Sequence, residues 1–199
     1  MVAPNRLVFK ERLQYLRTPA AGEGWLGLPT SIGFVDPLHS TGIAHTLSAV
    51  EKIGELFSAC YASGTLPSEE SLAAYSMRLD KEIRWIDQLV AMAYAASFDF
   101  SLFTAATMTY FVVVTNAERD EKDGFMAAGN VELAECVDAI TSRIFDLRKQ
   151  HSSSPVSPAE IASSIDWVRD QIAPFNQVGL MDPSKENLYC HTAPTDKTI

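Results

Sequence analysis

Apolar residues recur at steps of three and four along most of the chain after residue 40, which is the period of one helix face. The spacing predicts five helices, which run from Thr41 to about Tyr61, from Ser68 toward Ser97, from about Phe100 to Glu118, from Asn130 to Leu147 and from Ser157 to Ile172. Before residue 40 the pattern differs, because short apolar segments alternate with turn residues. The chain is therefore expected to be mainly α-helical with a short β lead-in.

Three of these helices begin with residues that favour a helix N-terminus. Ser68 precedes two glutamates, and Asn130 precedes an apolar series. Their side-chain oxygens can accept hydrogen bonds from free backbone N–H groups, and acidic residues favour the positive helix end. The run Ser-Pro-Ala-Glu at residues 157–160 is a capping box with proline at the first helical position. A polar loop is predicted from Gln150 to Pro155.

The segment from Phe100 to Asn116 contains 17 residues without a charge, and residues 89–98 before it are also apolar. A membrane-spanning helix needs about 20 apolar residues. Four threonines dilute the segment, and Asp99 separates it from the preceding stretch. We therefore expect a helix that is buried in a protein core rather than in a membrane. The aromatic residues nearby are expected in the same core.

The first 30 residues predict extended structure. Residues 6–17 mix alternation with charge, and residues 25–28 form a short apolar strand that Pro29 ends. Residues 22–27 match the pattern Gly-x-Gly-x-x-Gly, which in dinucleotide-binding folds lies between a strand and a helix start. Because Pro19 and Pro29 flank the match, a helix is not expected to begin there. We predict a turn between two extended segments.

Sixteen lysines and arginines stand against 25 aspartates and glutamates, which gives a formal net charge of −9. Nucleic-acid-binding proteins concentrate positive charge on one surface, so no nucleic-acid partner is expected. Cys60, Cys136 and Cys190 are far apart and odd in number, which favours reduced thiols over a disulfide framework or a metal site. No apolar stretch typical of a secretory signal follows the N-terminus. A cytoplasmic protein is the simplest expectation.

The stretch Gly-Phe-Val-Asp-Pro-Leu-His-Ser-Thr-Gly-Ile-Ala-His at residues 33–45 joins the extended part to the first long helix. Ser40 or Thr41 can cap that helix, and Gly42 lets a ligand approach the backbone closely. Free N–H groups at the positive helix end favour an anion or a polarised carbonyl. The same residues are also compatible with an ordinary capped helix.

The run Gly-Phe-x-Asp-Pro-x-x-Ser-Thr-Gly at residues 33–42 resembles the flavin-contacting segment of the flavin-dependent halogenases, in particular those of tryptophan. These enzymes belong to a wider class of FAD-dependent, monooxygenase-like oxidoreductases. The similarity is compact over this run, and a weaker similarity of pattern extends to about residue 193. The resemblance implies the C-terminal, helical part of an FAD-binding α/β fold.

The resemblance also implies a cofactor and a set of site residues. The cofactor is FAD, and the residues implied to contact it are Gly33, Phe34, Asp36, Pro37, Ser40, Thr41 and Gly42. Thr41 and Gly42 are further implied to back a chloride site beside the flavin. Tryptophan halogenases have a catalytic glutamate directly before the Ser-Thr-Gly, and His39 occupies that position here. A histidine can hydrogen-bond or carry a proton there, so His39 is the candidate catalytic residue.

The sequence departs from the family in two places. Such enzymes have Gly-Asp-Ala before the Gly-Phe pair, with the aspartate on the flavin ribityl chain, whereas residues 29–31 here are Pro-Thr-Ser. They also open with a nucleotide-binding βαβ unit whose glycine-rich turn binds the FAD pyrophosphate, and residues 1–30 contain no such turn. We therefore expect a portion that needs an N-terminal FAD-binding half, and that binds FAD weakly without it.

The sequence thus predicts an extended lead-in over residues 1–30, a flavin-contacting loop and helix start over 31–45, a helical body over 46–175 and an irregular tail over 176–199. The expected function is reduced-flavin and O2 chemistry on a small organic substrate, with halide oxidation if the protein is a halogenase. Two alternatives stay open, a non-catalytic helical module that binds a protein partner and a peripheral membrane protein. An exposed apolar patch is expected where the FAD-binding half would dock.

Overall fold

The computed structural model describes residues 13–117, 124–182 and 184. Within these ranges the strands are β1 (Tyr15–Leu16), β2 (Ala21–Gly22), β3 (Trp25–Leu26) and β4 (Gly33–Phe34). The α-helices are α1 (Pro29–Ile32), α2 (Gly42–Ser63), α3 (Glu69–Ala96), α4 (Phe100–Ala117), α5 (Val131–Ser153) and α6 (Pro158–Ile172). Two 3-10 turns, Phe125–Ala127 and Ala173–Phe175, complete the chain. The protein is mostly helical with a few short strands, as predicted.

Several sequence-based expectations fall on other parts of the chain. The strand predicted from residue 6, the helix end at residue 118 and the thiol of Cys190 lie wholly or partly outside the described residues. The same holds for most of the predicted tail. The division of the chain into four segments therefore stays a prediction.

The lead-in consists of two short antiparallel strand pairs. β2 and β3 form a hairpin in which Ala21 lies opposite Leu26, and Gly24 in its turn has a φ of +77°. Glycine adopts this left-handed conformation without the steric cost that a Cβ brings. The predicted turn between two extended segments is therefore confirmed for residues 22–27. The second pair joins β1 to β4.

The prediction that no helix begins after the glycine pattern was wrong. The four-residue helix α1 starts at Pro29 itself. Proline is compatible with the first position of a helix, because the N–H that it lacks would have no intrahelical partner there. Pro29 therefore ends the extended segment and starts α1.

The long helices lie close to their predicted positions. α2, α3 and α4 begin and end within two residues of the predicted limits, and α6 ends at Ile172 as predicted. α5 is the exception, because it continues to Ser153 through most of the polar segment that was predicted as a loop. Polar residues on an exposed final turn are compatible with a helix, so polarity alone placed its end too early.

The predicted N-caps of α3, α5 and α6 are present. Ser68, Asn130 and Ser157 each accept a hydrogen bond from the backbone N–H three residues later. The capping box of α6 is only half formed, since the Glu160 carboxylate accepts a hydrogen bond from the Gln150 side chain instead of returning to the cap. That contact ties the start of α6 to the end of α5.

α3 is the central helix of the molecule. It packs against α4 and α5, while α4 also packs against α6 and the 3-10 turn at 125–127. The main core lies between these elements, and its fully buried side chains include Leu89, Met92, Leu102, Val112, Val113, Leu133, Val137, Ile140, Ile144, Val168 and Ile172. A smaller core joins the N-terminal half of α3 to the β2–β3 hairpin.

Two polar side chains of α3 attach the hairpin to the helix. The Tyr75 hydroxyl donates to the Gly27 carbonyl at 2.7 Å, and the Ser76 hydroxyl accepts from the N–H groups of Ala20 and Ala21. Short two-residue strands supply few backbone hydrogen bonds of their own. The lead-in therefore depends on α3 for its position.

α4 is the one helix among the described residues that is long and apolar enough to cross a membrane by length and composition. In the structure it packs between α3 and α6, and its residues Leu102, Ala105, Val112 and Val113 are fully buried. A core helix meets the same criterion, so the observation is weak support for a span. Phe100 was expected in the core but is 81% exposed, because it begins the helix on the solvent side.

α2 buries only one narrow side. His45 and Ala49 are its buried residues, and its main helical neighbour is α1. Leu47, Val50 and Phe57, which the apolar spacing placed on one face, are exposed. The spacing identified the helix correctly, but the described part of the chain does not cover that face.

The main core predicts a clear contrast within α5. Ile140→Ala should lower the free energy of unfolding by about 2–5 kcal/mol, because it removes a fully buried side chain and leaves a cavity. Phe145→Ala, on the half-exposed side of the same helix, should cost much less. Urea unfolding followed by circular dichroism measures both. Equal costs would mean that α5 does not pack as described.

Candidate functional site

Two tyrosines hold the loop between β4 and α2. The Tyr94 hydroxyl of α3 donates to Asp36 Oδ1 at 3.0 Å, and the same oxygen accepts from the Leu38 N–H at 2.8 Å. The Tyr110 hydroxyl of α4 donates to the His39 carbonyl at 3.2 Å. The loop is therefore fixed by residues that lie 55 or more positions later in the chain.

The N-terminus of α2 carries no side-chain cap, which corrects the expectation for Ser40 and Thr41. Thr41 occupies the N-cap position without a side-chain hydrogen bond, and Ser40 is in the left-handed region with a φ of +54°. The first backbone bond of the helix runs from the His45 N–H to the Thr41 carbonyl. The N–H groups of Gly42, Ile43 and Ala44 thus have no intrahelical partner and are free to meet a ligand, as at other helix N-termini.

A cavity of about 370 Å³ opens beside this helix start. His39, Ser40 and Thr41 line it, together with residues of α2, α3, α4 and the 3-10 turn. Four of these residues, Arg78, Glu82, Tyr110 and Phe125, bring charge or aromatic surface from distant parts of the chain. The structure thus brings together three of the sequence-predicted site residues with four partners.

The other predicted site residues do not line this cavity. Gly33 and Phe34 form β4, and Gly33 is buried against the Ile83 side chain. Asp36 and Pro37 shape the loop, since the Pro37 carbonyl accepts from the Ser40 N–H. Gly42 is exposed at the start of α2, where a Cβ would meet only Thr30 Cγ2 at 3.9 Å.

Glu82 is a buried carboxylate at the floor of the site. It is 2% exposed and accepts a hydrogen bond of 2.9 Å from His45 Nε2, which is itself 3% exposed. Its second oxygen accepts from the Phe125 N–H at 3.0 Å and lies 3.3 Å from Arg78 Nε. Glu82 therefore joins α2, α3 and the 3-10 turn through one side chain.

The charge state of Glu82 follows from these contacts. Burial alone raises the pKa of a carboxyl group, but the hydrogen bonds from His45 and Phe125 and the charge of Arg78 together lower the pKa of Glu82 below its usual value. The side chain is therefore an anion at neutral pH. Because its two hydrogen-bond donors come from α2 and from the 3-10 turn, the anion on α3 stabilises the arrangement of these three elements.

His39 forms the aromatic wall of the cavity with Tyr110. The two rings stack with centroids 3.9 Å apart and an interplanar angle of 13°. Burial lowers the pKa of His39 below its usual range, and the nearby charge of Asp36 only partly opposes this effect. The ring is thus neutral at neutral pH, and its buried Nε2 has no hydrogen-bond partner. Depending on the tautomer, Nε2 can donate a hydrogen bond to a bound ligand, or accept a hydrogen bond or a proton from it.

A second stacked pair lies beside the first. The rings of His45 and Phe125 have centroids 4.5 Å apart, so the imidazole is fixed both by stacking and by its bond to Glu82. Among the described residues, no group of three histidine, cysteine, aspartate or glutamate side chains could hold a metal ion. The two stacked ring pairs and the polar groups beside them suit an organic ligand with planar and polar parts.

The sequence contained a signal for Glu82, which was not among the predicted site residues. Glu82 falls three residues after Leu79 and four before Ile86, on the apolar face of α3, where a charged side chain needs a partner. The partners could not be found from spacing, because His45 and Phe125 are 37 and 43 residues away. Tyr110 was expected in the core, and its side chain does pack there while it also lines the cavity.

Comparison with solved structures shows where this fold occurs. No protein-family model and no curated protein matches the chain. The crystal structure of the halogenase PltM matches with a TM-score of 0.62 and 15% sequence identity over 83% of this chain. A point variant of PltM in complex with FAD gives the same values, and its complex with phloroglucinol and FAD gives a TM-score of 0.57 at 16% identity.

The matched region makes up 36% of each of these three halogenase chains. This chain therefore spans about a third of the length of the proteins it resembles. At such low identity the similarity shows the fold alone. The protein has the fold of a portion of a flavin halogenase, which agrees with the resemblance in residues 33–42.

The Glu82 network predicts a pH-dependent stability. Glu82→Gln should lower the free energy of unfolding at pH 7 by about 1.5–3 kcal/mol, because it removes the charge that two hydrogen-bond donors and the Arg78 guanidinium meet. A lowered folded-state pKa gives stabilisation that is complete above the ordinary glutamate pKa of about 4.3 and is lost as the pH falls through the folded-state pKa. Urea unfolding of both proteins should therefore show a difference that shrinks below about pH 4.

Glu55→Gln is the matched control, since Glu55 is exposed and pairs only with Lys52. Its effect should stay within about 0.5 kcal/mol at pH 7. A Glu82→Gln effect that does not change between pH 7 and pH 3 would contradict an ionised Glu82.

Proposed function

We propose that the chain is the helical part of an FAD-dependent oxidoreductase of the halogenase type, which acts on a small organic substrate. The observation that carries the proposal is the cavity at the uncapped start of α2, lined by His39, Ser40 and Thr41, in a fold that resembles part of a flavin halogenase. The sequence run at residues 33–42 and the fold point independently to the same class of enzyme. The expected location is the cytoplasm.

The residues around Gly42 fit the ring side of a flavin. Gly42 is exposed, and the space next to its Cα contains only Thr30 within 4 Å. The free N–H groups of the first turn of α2 and the positive end of this 22-residue helix favour negative charge on the ring or on a chloride ion beside it. The pyrophosphate side has no counterpart among the described residues, because residues 22–27 form a β-hairpin.

When bound and reduced, FAD would react with O2, and this chemistry would oxidise a halide or an organic substrate. The described chain provides the surroundings of that reaction. The backbone at Thr41 and Gly42 would hold the anion, while the loop from Asp36 to His39 is kept in place by Tyr94 and Tyr110. His39, neutral and unpartnered at Nε2, would exchange a proton with the substrate in the cavity.

The FAD-binding half is proposed to dock on the outer face of α2, which consists of Ile43, Leu47, Val50, Phe57 and Tyr61. These side chains follow steps of three, four and seven residues, and their exposure ranges from 47% for Phe57 to 90% for Tyr61. Contiguous apolar surface of this kind is typical of a protein interface. It starts directly after Gly42, so the partner that covers it would also reach the flavin-contacting segment.

The same face is the observation that favours the alternative function, a non-catalytic module that binds a protein partner. A partner that contains no flavin site would support that alternative. Substitution of Gly42 distinguishes the two functions, because only the flavin-binding function needs open space at that residue.

Gly42→Val tests the flavin-contacting segment in the chain fused to the nucleotide-binding part of a flavin halogenase. We expect at least a tenfold loss of FAD affinity or of flavin reactivity with an unchanged fold, since the new side chain fills the space that the ring needs. Flavin absorbance and fluorescence titration measure the affinity, and circular dichroism the fold. Ala59→Val, exposed on the same helix, should have no effect. Unchanged flavin binding in Gly42→Val would leave residues 33–42 as a helix start only.

Leu47→Asp tests the docking face. The 199-residue chain should self-associate at high concentration through this apolar face, and a charge at its centre should weaken that association about tenfold or more, which corresponds to about 1.4 kcal/mol. Sedimentation velocity over a range of concentrations measures the change. Ala59→Asp adds the same charge away from the face and should leave association as it was. Equal behaviour of the two variants would argue against an interface on this face.

A further inference from the structure

Arg78 is the cation of the cavity whose hydrogen-bond donors have no acceptor among the described residues. Its Nε is buried and makes no hydrogen bond, although it lies 3.3 Å from Glu82 Oε1 in an ion pair. No hydrogen bond of its guanidinium group occurs within the described ranges, and about a third of the side chain is exposed to the cavity side and solvent. The group therefore retains donors for a ligand.

Glu82 does not satisfy Arg78 fully, because Arg78 Nε lies 3.3 Å from Glu82 Oε1 without forming a hydrogen bond. His45 Nε2 donates to one oxygen and the Phe125 N–H donates to the other. An arginine presents five N–H donors in a planar fork, which matches a carboxylate with two parallel hydrogen bonds. The geometry leaves the remaining donors of Arg78 available for a second carboxylate, one that belongs to a ligand.

The other charged residues that line the cavity have little effect on the charge that Arg78 presents to a ligand. Lys52 lines the cavity but its ammonium group is paired with Glu55 at 3.1 Å. Glu51 also lines it and is exposed to solvent, which screens its charge. Arg78 is therefore the group that decides which charge the cavity accepts.

The aromatic and apolar side chains that line the cavity favour a ligand with an aromatic ring. The stacked pair of His39 and Tyr110 forms one side, and Phe125, Met126 and Val114 add apolar surface. The volume of about 370 Å³ lies at the lower end of the range for small-molecule sites, roughly 300–1,000 Å³. A single ring with a short polar substituent fits within this volume.

We propose that this cavity binds a small aromatic carboxylate, with the carboxylate paired to the Arg78 guanidinium and the ring against the wall formed by His39 and Tyr110. The inference names the substrate class of the site in the proposed function and rests on that function for the identity of the cavity as the substrate pocket. Ligand binding itself depends only on residues of this chain. It can therefore be measured without FAD.

The test compares three probes on the 199-residue chain by isothermal titration calorimetry in chloride-free buffer. Benzoate carries both ring and charge, benzyl alcohol carries the ring alone, and acetate carries the charge alone. We expect benzoate to bind at least tenfold more tightly than either of the others. Equal affinities for benzoate and benzyl alcohol would overturn the role of the charge. Acetate binding as tightly as benzoate would show a simple anion site at the start of α2.

Arg78→Gln should reduce benzoate affinity at least tenfold and leave benzyl alcohol binding unchanged. Arg84→Gln is the matched control, since Arg84 lies on α3 six residues later, is mostly exposed and pairs with Asp80. Arg78→Lys keeps the charge and the pairing with Glu82, so it should fold even if the glutamine variant does not, and it should weaken benzoate binding only a few-fold. Two results would refute the pairing of the ligand carboxylate with Arg78. One is an Arg78→Gln variant that still prefers benzoate as strongly as before, and the other is a folded Arg78→Lys variant that no longer binds benzoate.

The outcome is separable from that of the proposed function. If Gly42→Val leaves flavin binding unchanged while benzoate binds tightly, the carboxylate site is supported and the flavin-contacting segment is refuted. Flavin binding without any benzoate preference would keep the enzyme class and remove the aromatic carboxylate as its substrate.

Discussion

A carboxylate in a protein interior has to be met by donors, because burying it alone would cost more free energy than a small domain can supply. Glu82 sits on the central helix α3 at 2% exposure, and its donors come from His45 on α2 and from the backbone of Phe125. α2 is otherwise weakly attached, since it buries only one narrow side. The requirement to satisfy this one anion therefore fixes where α2 begins and where the cavity wall lies.

The 3-10 turn at 125–127 shows what this constraint maintains. Met126 and Ala127 both have positive φ values of 53°, a region that is costly for residues with a Cβ. The turn is held by the bond from Phe125 to Glu82 and by the Trp85 indole N–H, which donates to the Met126 carbonyl at 3.0 Å. Strained backbone of this kind is often found at binding sites, and here it shapes the cavity that His39 lines.

The molecule thus has two unlike surfaces on either side of α2. The inner side is polar and aromatic, with His45 and Glu82 beneath it and the cavity beside it, whereas the outer face is apolar and exposed. Such an arrangement suits a helix that lies between two bodies. The matched region corresponds to about a third of the halogenase chains that share its fold, and the outer face is the surface on which we propose that an FAD-binding half docks.

The sequence alone determined the positions of α2, α3, α4 and α6, because apolar spacing and caps such as Ser68 and Ser157 are local signals with local causes. It also identified the 33–42 run through resemblance. The end of α5, the start of α1 and the uncapped Thr41 were wrongly predicted, since exposed polar residues, a proline and a Ser-Thr pair are each compatible with more than one local structure. Only the tertiary structure decided that Arg78, Glu82, Tyr110 and Phe125 share a cavity with His39. Contacts across 37 to 71 residues leave no periodic trace in a single sequence, and they form only when the core brings the helices together.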